Sequence, residues 1–559
     1  PPFFWLLFAL TFILGITLTI YFIVRSVDLW RYSLSAILIA NTVVLFLPTI
    51  RNYGFYARGG WDIFFHLAWS KFITNTGYST AGDHYPATHI LVATLEQLSS
   101  LNPAILAVIV SVAFFILYVS SLFILGCAVF NDNRAGALFS IFGSPLLFSF
   151  GHYAFYPYLF ALFLFPMTFY VMRKIGMVDN KEGYYICFII LSLFIVFCHP
   201  MISLILLLIL GVLYGYALIS NRYGLGFSCR LDILKLLAIV GISFVFWYIN
   251  FESILSMGKS VISTLLGESD TETILTFNIG RVSQSGASLI HVIEGFIKVY
   301  GPMIIYFVIA LFIAIYLVKE FLNNRKCADK MVYIIFFILS IAYGAALTLG
   351  YFIVFEVIRA ASFAIIMATI ICGIGFYKII KDADAPKRAQ VFAIIAIAVL
   401  CPVSALSVFN VYSSPWIFSP GWHMTEMEKS GIDWFLTNQD ESTPLYLNND
   451  NWRTYPTYFQ VMHKVTVQRP QIFSNKIPTH FGYDRDRFLD QSINSSGTSN
   501  SYIVTDEMMR QSALAYPEEM QSTRKHFLNE DFFRLNCDTT VNKLYMNREW
   551  ELWVVRIRP

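Results

Sequence analysis

About a dozen apolar runs, most close to the length of a membrane-crossing helix, limit what this chain can fold into. A crossing helix needs roughly 20 mostly apolar residues. Runs of that order fall at 3–24, 33–50, 104–129, 135–150, 153–172, 184–198, 200–219, 232–250, 300–318, 331–350, 353–377 and 389–411. Inside a bilayer, backbone N–H and C=O groups must be satisfied within the segment, so such runs fold as helices. Charged residues are 13% of the chain and hydrophobic ones 57%, against about 25% charged in an ordinary soluble domain. The expected fold is mainly α, a polytopic transmembrane bundle of about twelve spans. His199-Pro200 splits the stretch 184–219, where one long kinked helix is the competing reading. The first run, Phe3 to Val24, has no basic stretch ahead of it and reads as a span rather than a signal peptide.

Lys and Arg set the orientation. They collect in alternate connections: Arg25 and Arg31; Arg173, Lys174 and Lys181; Arg222, Arg230 and Lys235; Lys319, Arg325, Lys326 and Lys330; Lys378, Lys381, Lys387 and Arg388. With twelve spans all of these fall on one side, the expected cytoplasmic side. The short opposite connections near 151–153, 199–200 and 350–352 carry neither residue type. Three larger pieces then lie outside: a loop at 51–103, a loop at 251–299, and a polar tail at 412–559. The expected division is a membrane domain over 1–411 and a soluble extracytoplasmic α/β domain over 412–559. In the tail, Thr425 to Glu428 reads as a capped helix start, and β-rich runs on either side of Asn547-Arg548 read as a hairpin. A net charge of +3 gives no reason to propose nucleic acid as a partner. Of eight cysteines only Cys537 lies in the tail, and no Cys-x-x-Cys pair exists, so neither a tail disulfide nor a structural zinc site is expected.

The densest set of titratable groups lies in the first outer loop. It reads Gly59-Gly60-Trp61-Asp62-Ile63-Phe64-Phe65-His66, continues to Gly77, and closes with Asp83-His84-Tyr85-Pro86-Ala87-Thr88-His89. Polar groups of this kind beside a bilayer are wet, paired or functional. The segment from Trp61 reads as an interfacial helix. Trp61, Phe64, Phe65, Ala68, Phe72 and Ile73 form its apolar surface, and Asp62, His66, Ser70 and Lys71 its polar one. Asp62 and His66 are four apart and share a helix face. The plainer reading of Asp62 is an N-cap, and of His66 a partner for Asp62. Pro86 opens a second helix at its first turn. His84 and His89 have too little metal-site character to outweigh phosphate contact or an interfacial hydrogen bond.

This arrangement resembles the GT-C superfamily of membrane glycosyltransferases, which use polyprenyl-phosphate sugars. The matching elements are the acid opening an interfacial helix (Asp62), the histidine four later (His66), the glycine ending it (Gly77), and Tyr85-Pro86 with His89 opening the next helix. Softer matches are Gly151-His152-Tyr153 with Tyr156-Pro157, Cys198-His199-Pro200, and Arg359 near the outer end of the span 353–377. The resemblance covers roughly 33–411. There are departures. Two spans precede the acidic loop instead of one. Asp62 stands without a paired acid, which leaves a divalent cation (Mg or Mn) only a candidate cofactor. The tail has no Trp-Trp-Asp-type motif, which argues against a peptide-glycosylating oligosaccharyltransferase.

The resemblance implies an inverting glycosyltransferase of hexosyl or pentosyl type in the plasma membrane, working at the extracytoplasmic face. The donor is a polyprenyl-phosphate sugar held beside the bilayer, and the acceptor a glycan, lipid or protein. A general base takes the acceptor proton, an effect worth ~10²–10⁴-fold, and Asp62 is the candidate. A cation steadies the departing phosphate. Arg359 is the first choice because guanidinium grips phosphate oxygens in pairs, with Arg281, Lys298 and His152 as weaker choices and a salt bridge to Glu356 as the plain reading of Arg359. His66, His84, Tyr85, His89, Tyr156 and His199 complete the substrate-contact candidates. The loop 251–299 reads as a segment closing over substrate, or as interfacial helices with a solvated linker. The alternative function is a non-catalytic scaffold or binding subunit of a cell-surface assembly. A transporter ranks lower, because mid-span charges are scarce and no repeat with paired broken helices is visible.

Overall fold

The computed structural model describes residues 6, 10, 13–17, 20–21, 29–52, 61–79, 82–144, 155–224, 232–265, 288–324, 328–349, 357–381, 386–410, 414–419, 425–440, 442–447, 472–474, 477–485, 487–493, 500–518, 520–521 and 527–556. After helical residues within 6–21, the helices run α1 (Trp30–Asn52), α2 (Trp61–Thr76), α3 (Pro86–Ser99), α4 (Pro103–Phe130), α5 (Asn133–Gly143), α6 (Pro157–Phe163), α7 (Phe165–Met177) and α8 (Glu182–Cys198). They continue as α9 (Pro200–Tyr223), α10 (Ile233–Tyr248), α11 (Glu252–Leu265), α12 (Leu289–Asn324), α13 (Ala328–Leu349), α14 (Val357–Lys381) and α15 (Pro386–Asn410). Among the described residues six helices are long and apolar enough to cross a membrane, the stretches 103–130, 157–177, 200–223, 289–323, 361–381 and 390–410. Trp30–Leu45, Glu182–Cys198 and Ile233–Tyr248 are shorter apolar helices. A total of about twelve crossings stays a proposal.

Two boundaries differ from expectation. The span expected at 300–318 begins earlier, at Leu289, so His291, Glu294 and Lys298 ride on a helix rather than a loop. Glu294 and Lys298 pair one turn apart at 2.5 Å and support that extension. The loop expected over 251–299 is also helical over Glu252–Leu265, while 266–287 lies outside the described residues. At 184–219 the chain forms two helices. His199 is extended (φ −165°, ψ 128°), because a following proline disfavours helical geometry in the residue before it.

The bundle core is one large apolar cluster in which α5 is enclosed: every residue from Ala135 to Gly143 is buried. Helices α4 and α5 approach so closely that a methyl on Gly136 would meet Cys127 Sγ at 2.5 Å. Small residues permit such contact in a membrane, where packing replaces the hydrophobic drive.

Among the described residues, basic groups from three of the basic connections, Arg173, Lys330 and Lys378, lie at one end of the bundle. Arg173 donates to the Ala128 and Val129 carbonyls at 2.9 and 3.2 Å and reaches Asp329 at 3.2 Å. Asp132 caps α5, pairs with Arg134 at 2.9 Å, and accepts from the Tyr377 hydroxyl at 2.6 Å. Lys378 pairs with Glu320. The ends of α4, α7, α12 and α14 are thereby tied together by charge.

Among the described residues the C-terminal part carries a five-stranded sheet: β1 (Leu445–Leu447), β2 (Ile472–Ser474), β3 (Asn500–Asp506), β4 (Val541–Met546) and β5 (Trp550–Arg556). Its order is β2-β1-β3-β5-β4, parallel through β2, β1 and β3 and antiparallel across β3/β5/β4. The β4–β5 hairpin turns at Asn547-Arg548, where Asn547 accepts from the Trp550 N–H at 3.1 Å. Side chains alternate along β5, so Trp550 and Leu552 enter one apolar layer and Trp553 and Val555 the other. Helix α16 (Glu426–Asn438) lies on the first layer and carries the complete capping box, Thr425 with Glu428.

Candidate active site

The first outer loop folds as two helices joined by a structured turn. Gly77 closes α2: its N–H reaches the Ile73 carbonyl at 2.8 Å, and its φ of +80° suits a residue without Cβ. Asp83 then builds the entry to α3. Its Oδ1 accepts from the Tyr85 N–H at 3.0 Å, an Asx turn, and its Oδ2 accepts from Ser79 Oγ at 2.9 Å. Pro86 takes the first position of α3, where its missing N–H costs nothing. The face of α3 carrying His89, Val92, Ala93 and Glu96 is buried. Glu96 clamps the two helices by pairing with Lys71 and accepting from Thr74 Oγ1 at 2.6 Å.

Within this frame three polar side chains form a buried chain. Asp83 Oδ1 meets His89 Nδ1 at 2.8 Å, and His89 Nε2 meets His66 Nδ1 at 2.9 Å. Asp83 and His89 have no exposed side-chain surface, and His66 is 5% exposed. Burial without partners would cost several kcal/mol, so the three are mutually dependent. Aromatic rings surround them. Tyr85 stands edge-on to His66 at 5.7 Å and stacks on His199 at 5.3 Å and 4°. Phe155 closes on His66 at 6.4 Å, and Tyr158 stands edge-on to His199 at 6.0 Å. Tyr156 precedes Pro157 at the start of α6 and stacks on Tyr158 at 5.7 Å.

His66, Tyr85, His89, His199 and Tyr156 therefore come together from four parts of the chain. His84 does not join them. Its Nε2 faces Ser253 Oγ at 2.9 Å and its ring lies against Phe251 at 4.5 Å, which ties the first outer loop to α11. Partial burial lowers the His84 pKa below the ordinary 6.5, against an opposing pull from Asp83. The two histidines thus point apart, His84 to Ser253 and His89 to Asp83. Among the described residues no group of three or more His, Cys, Asp or Glu is placed to hold a metal ion.

Asp62 is the second residue of α2, inside the first turn rather than at the N-cap, because the helix opens at Trp61. A carboxylate there is favoured by the helix dipole. The Asp62 side chain lies outside the described residues, as do His152, Arg281 and Glu356 altogether and the side chain of Arg359. Arg359 is the third residue of α14. The far end of that helix holds Tyr377 and Lys378 among the charge pairs, so Arg359 sits at the end of the bundle opposite them. His199 and Tyr156 open α9 and α6 at that same end. Lys298 is engaged, lying over Trp416 at 4.1 Å and paired with Glu294.

The polar face assigned to α2 also needs correction. Ser70 is buried together with His66, while Phe65 is 42% exposed. The reason is tertiary: α3 supplies a polar partner beneath α2, and Ser70 donates to the His66 carbonyl at 2.9 Å. Phe64, two residues past Asp62, is buried in the apolar layer of the C-terminal part with Ile432, Phe435 and Trp550. Asp83, named in the titratable stretch, has no role assigned from the sequence, and Tyr158 is not singled out. Asp83 carried a usable signal, an Asx residue three before a proline that starts a helix.

No protein-family model matches the sequence, and no curated protein does. Solved structures do. The chain is similar to the Archaeoglobus fulgidus oligosaccharyltransferase in its apo form, with a TM-score of 0.54 and 13% identity over 87% of this chain and 71% of that one. The same enzyme in complex with Zn and sulfate gives 0.52 and 14% over 86% and 69%. ArnT from Cupriavidus metallidurans bound to undecaprenyl phosphate gives 0.48 and 11% over 95% and 98%. The fold is therefore the one seen in the Archaeoglobus fulgidus oligosaccharyltransferase.

Proposed function

We propose that this protein is a membrane glycosyltransferase. It moves a sugar from a polyprenyl-phosphate donor to a glycan, lipid or protein acceptor at the extracytoplasmic face. One observation carries the reading: on a GT-C-like fold, a buried Asp–His–His chain underlies the helix whose first turn holds Asp62, at the end of the bundle away from Arg173 and Lys378. By the positive-inside rule that end is extracytoplasmic. Membrane domain 1–411 supplies the apolar groove for the donor's lipid, and domain 412–559 covers the loop helices from outside.

Asp62 is the general base. It takes the proton of the acceptor hydroxyl while the oxygen attacks the anomeric carbon from the face opposite the phosphate. The carbon–phosphate oxygen bond breaks as the new glycosidic bond forms, so the anomeric configuration inverts. Arg359 steadies the charge gathering on the phosphate. Tyr85, His199 and Tyr156 line the approach, with His152 and Arg281 as additional phosphate contacts. A divalent cation, Mg or Mn, is a candidate cofactor with no ligand assigned to it. The described neighbours suit it poorly, since Asp83 and His89 are engaged with each other.

The test is transfer of a radiolabelled or fluorescent sugar from polyprenyl phosphate by the purified chain. Asp62→Asn and Asp62→Ala are expected to lower the rate at least 10²-fold while leaving expression and monodispersity unchanged. Full activity in both variants removes Asp62 as the base. A partner that co-purifies through detergent, with no polyprenyl lipid bound, favours the scaffold reading instead.

A further inference from the structure

We propose that the outward row of rings on α2, Phe65, Trp69 and Phe72 with Tyr78 after the turn, is a stacking track for the acceptor, and that the acceptor is an uncharged glycan chain. The inference deepens the transferase reading above and rests on it. Positions 65, 69 and 72 follow steps of four and three, so they form one row on a helix. Their rings touch in succession. Phe65 meets Trp69 edge-on at 5.8 Å, Trp69 meets Phe72 at 6.1 Å, and Phe72 meets Tyr78 at 5.6 Å. Gly77, with its φ of +80°, turns the chain so that Tyr78 closes the row instead of extending the helix.

The row faces outward. Phe65 is 42% exposed and Tyr78 61%, while Trp69 and Phe72 are half-buried. Other sides of α2 are taken: Ile63 and Leu67 pack into the bundle, and Phe64 packs into the C-terminal layer. The outward row of a helix is ordinarily polar. Contiguous exposed rings in that position mark a surface that receives a partner.

Three observations select the partner. The first is continuity. Phe65 stands edge-on to His66 at 5.8 Å, His66 meets Tyr85, and Tyr85 stacks on His199. One run of rings therefore leads from the candidate substrate contacts out to Tyr78. Counting back three from Phe65 reaches position 62, in the turn where the transferase reading puts the base. The second is charge. Lys71 is the one Lys or Arg of α2, and it pairs with Glu96. A helix that rests on a lipid surface carries a basic polar face, and an anionic polymer would find no counter-charge along this row. The third is side-chain type. On the crossing helix α9 the exposed apolar side chains are mainly aliphatic, Leu204, Leu208, Leu218 and Ile219. A sugar ring instead selects aromatic rings, because one of its faces is a layer of C–H groups that packs flat on a π face. Its rim hydroxyls need hydrogen-bond partners, and Asn75 and Thr76 are exposed at the end of the helix.

The experiment reads binding, not transfer. The full chain in nanodiscs is titrated with neutral disaccharides and hexasaccharides of hexose and of pentose type, followed by saturation-transfer NMR. A chain that stacks along the row gains affinity with length, so a hexasaccharide should bind about tenfold tighter than its disaccharide. Trp69→Ala should lower hexasaccharide affinity about 2- to 10-fold and erase most of the gain with length, and Trp69→Phe should recover it. Tyr78→Ala should act the same way, at a ring too exposed to carry the fold. A loss of folding would not reproduce a change confined to the length dependence. Absence of binding by every sugar, or a gain with length that is equal in the unmodified chain and both alanine variants, overturns the track. Quenching of Trp69 fluorescence by brominated lipid, read as the difference from Trp69→Phe, makes the row a bilayer contact and also overturns it. Ring-dependent binding by a chain that transfers no sugar sinks the transferase reading and leaves the glycan site standing. Sugar transfer with ring-independent binding sinks the track alone.

Discussion

Phe64 offers a direct way to ask whether the C-terminal part positions the loop helix that carries Asp62. Its ring is 5% exposed and belongs to the apolar layer formed by Ile432, Phe435, Leu436, Leu445, Leu447, Tyr502, Val504, Trp550 and Leu552. Those residues retain one another when Phe64 is removed. Phe64→Ala therefore weakens docking more than it weakens the sheet itself. Burying a phenylalanine side chain is worth ~1.5–3 kcal/mol. A loss of about 2–3 kcal/mol multiplies the undocked population roughly 30- to 140-fold, at tenfold per 1.4 kcal/mol. Proteolysis of an opened state follows that population when opening is fast. Limited proteolysis of the full chain in detergent, followed by the appearance of a membrane fragment, reads the effect. Phe64→Leu should recover most of it. If Phe64→Ala is cleaved at the unmodified rate and its transfer rate is also unchanged, the C-terminal part does not hold α2 through this contact.

Two further outcomes follow from the charged groups. Burial, and then repulsion from Asp506 and Glu549, push the Glu428 carboxyl up from 4.5 to about 8. The folded value lies above the unfolded one, so this contribution to stability is full below 4.5 and is lost as pH rises through about 8. Glu428→Gln keeps the capping box with an amide oxygen in place of the carboxylate. It should flatten the pH dependence of thermal unfolding and stabilise the chain by about 1 kcal/mol at alkaline pH, after allowing for solvent at this half-buried side chain. A variant less stable than the parent at alkaline pH contradicts the sign. Glu96→Ala removes the acceptor for both Lys71 and Thr74. It should lower stability by about 1–2 kcal/mol in a detergent thermal-shift assay, since Lys71 can turn to water. No loss would mean the clamp is not holding α2 to α3.

Local rules made much of the chain legible. Apolar runs of fixed length gave the helical bundle, because a bilayer leaves the backbone no other partner. Thr425 and Glu428 gave a capping box, and Asn547-Arg548 a hairpin turn, because their hydrogen bonds close within a few residues. Pro86, Pro157 and Pro200 each start a helix for the same local reason. Counting spans put the basic connections on one side, and of these Arg173, Lys330 and Lys378 are seen together at one end, paired with Asp329 and Glu320.

The sequence also determined that Asp62 and His66 would share a helix face, since a spacing of four fixes that on any α-helix. It could not determine what lay beneath that face. His66 and His89 are 23 residues apart, and their contact exists only because α2 and α3 cross with Glu96 and Lys71 clamped behind them. The stack of Tyr85 on His199, the turning away of His84 to Ser253, and the burial of Phe64 under Trp550 depend likewise on where whole elements come to rest. Periodicity says which side of a helix is apolar. Which polar residue on that helix finds a buried partner is decided by the neighbour's position and the cost of leaving either group without one.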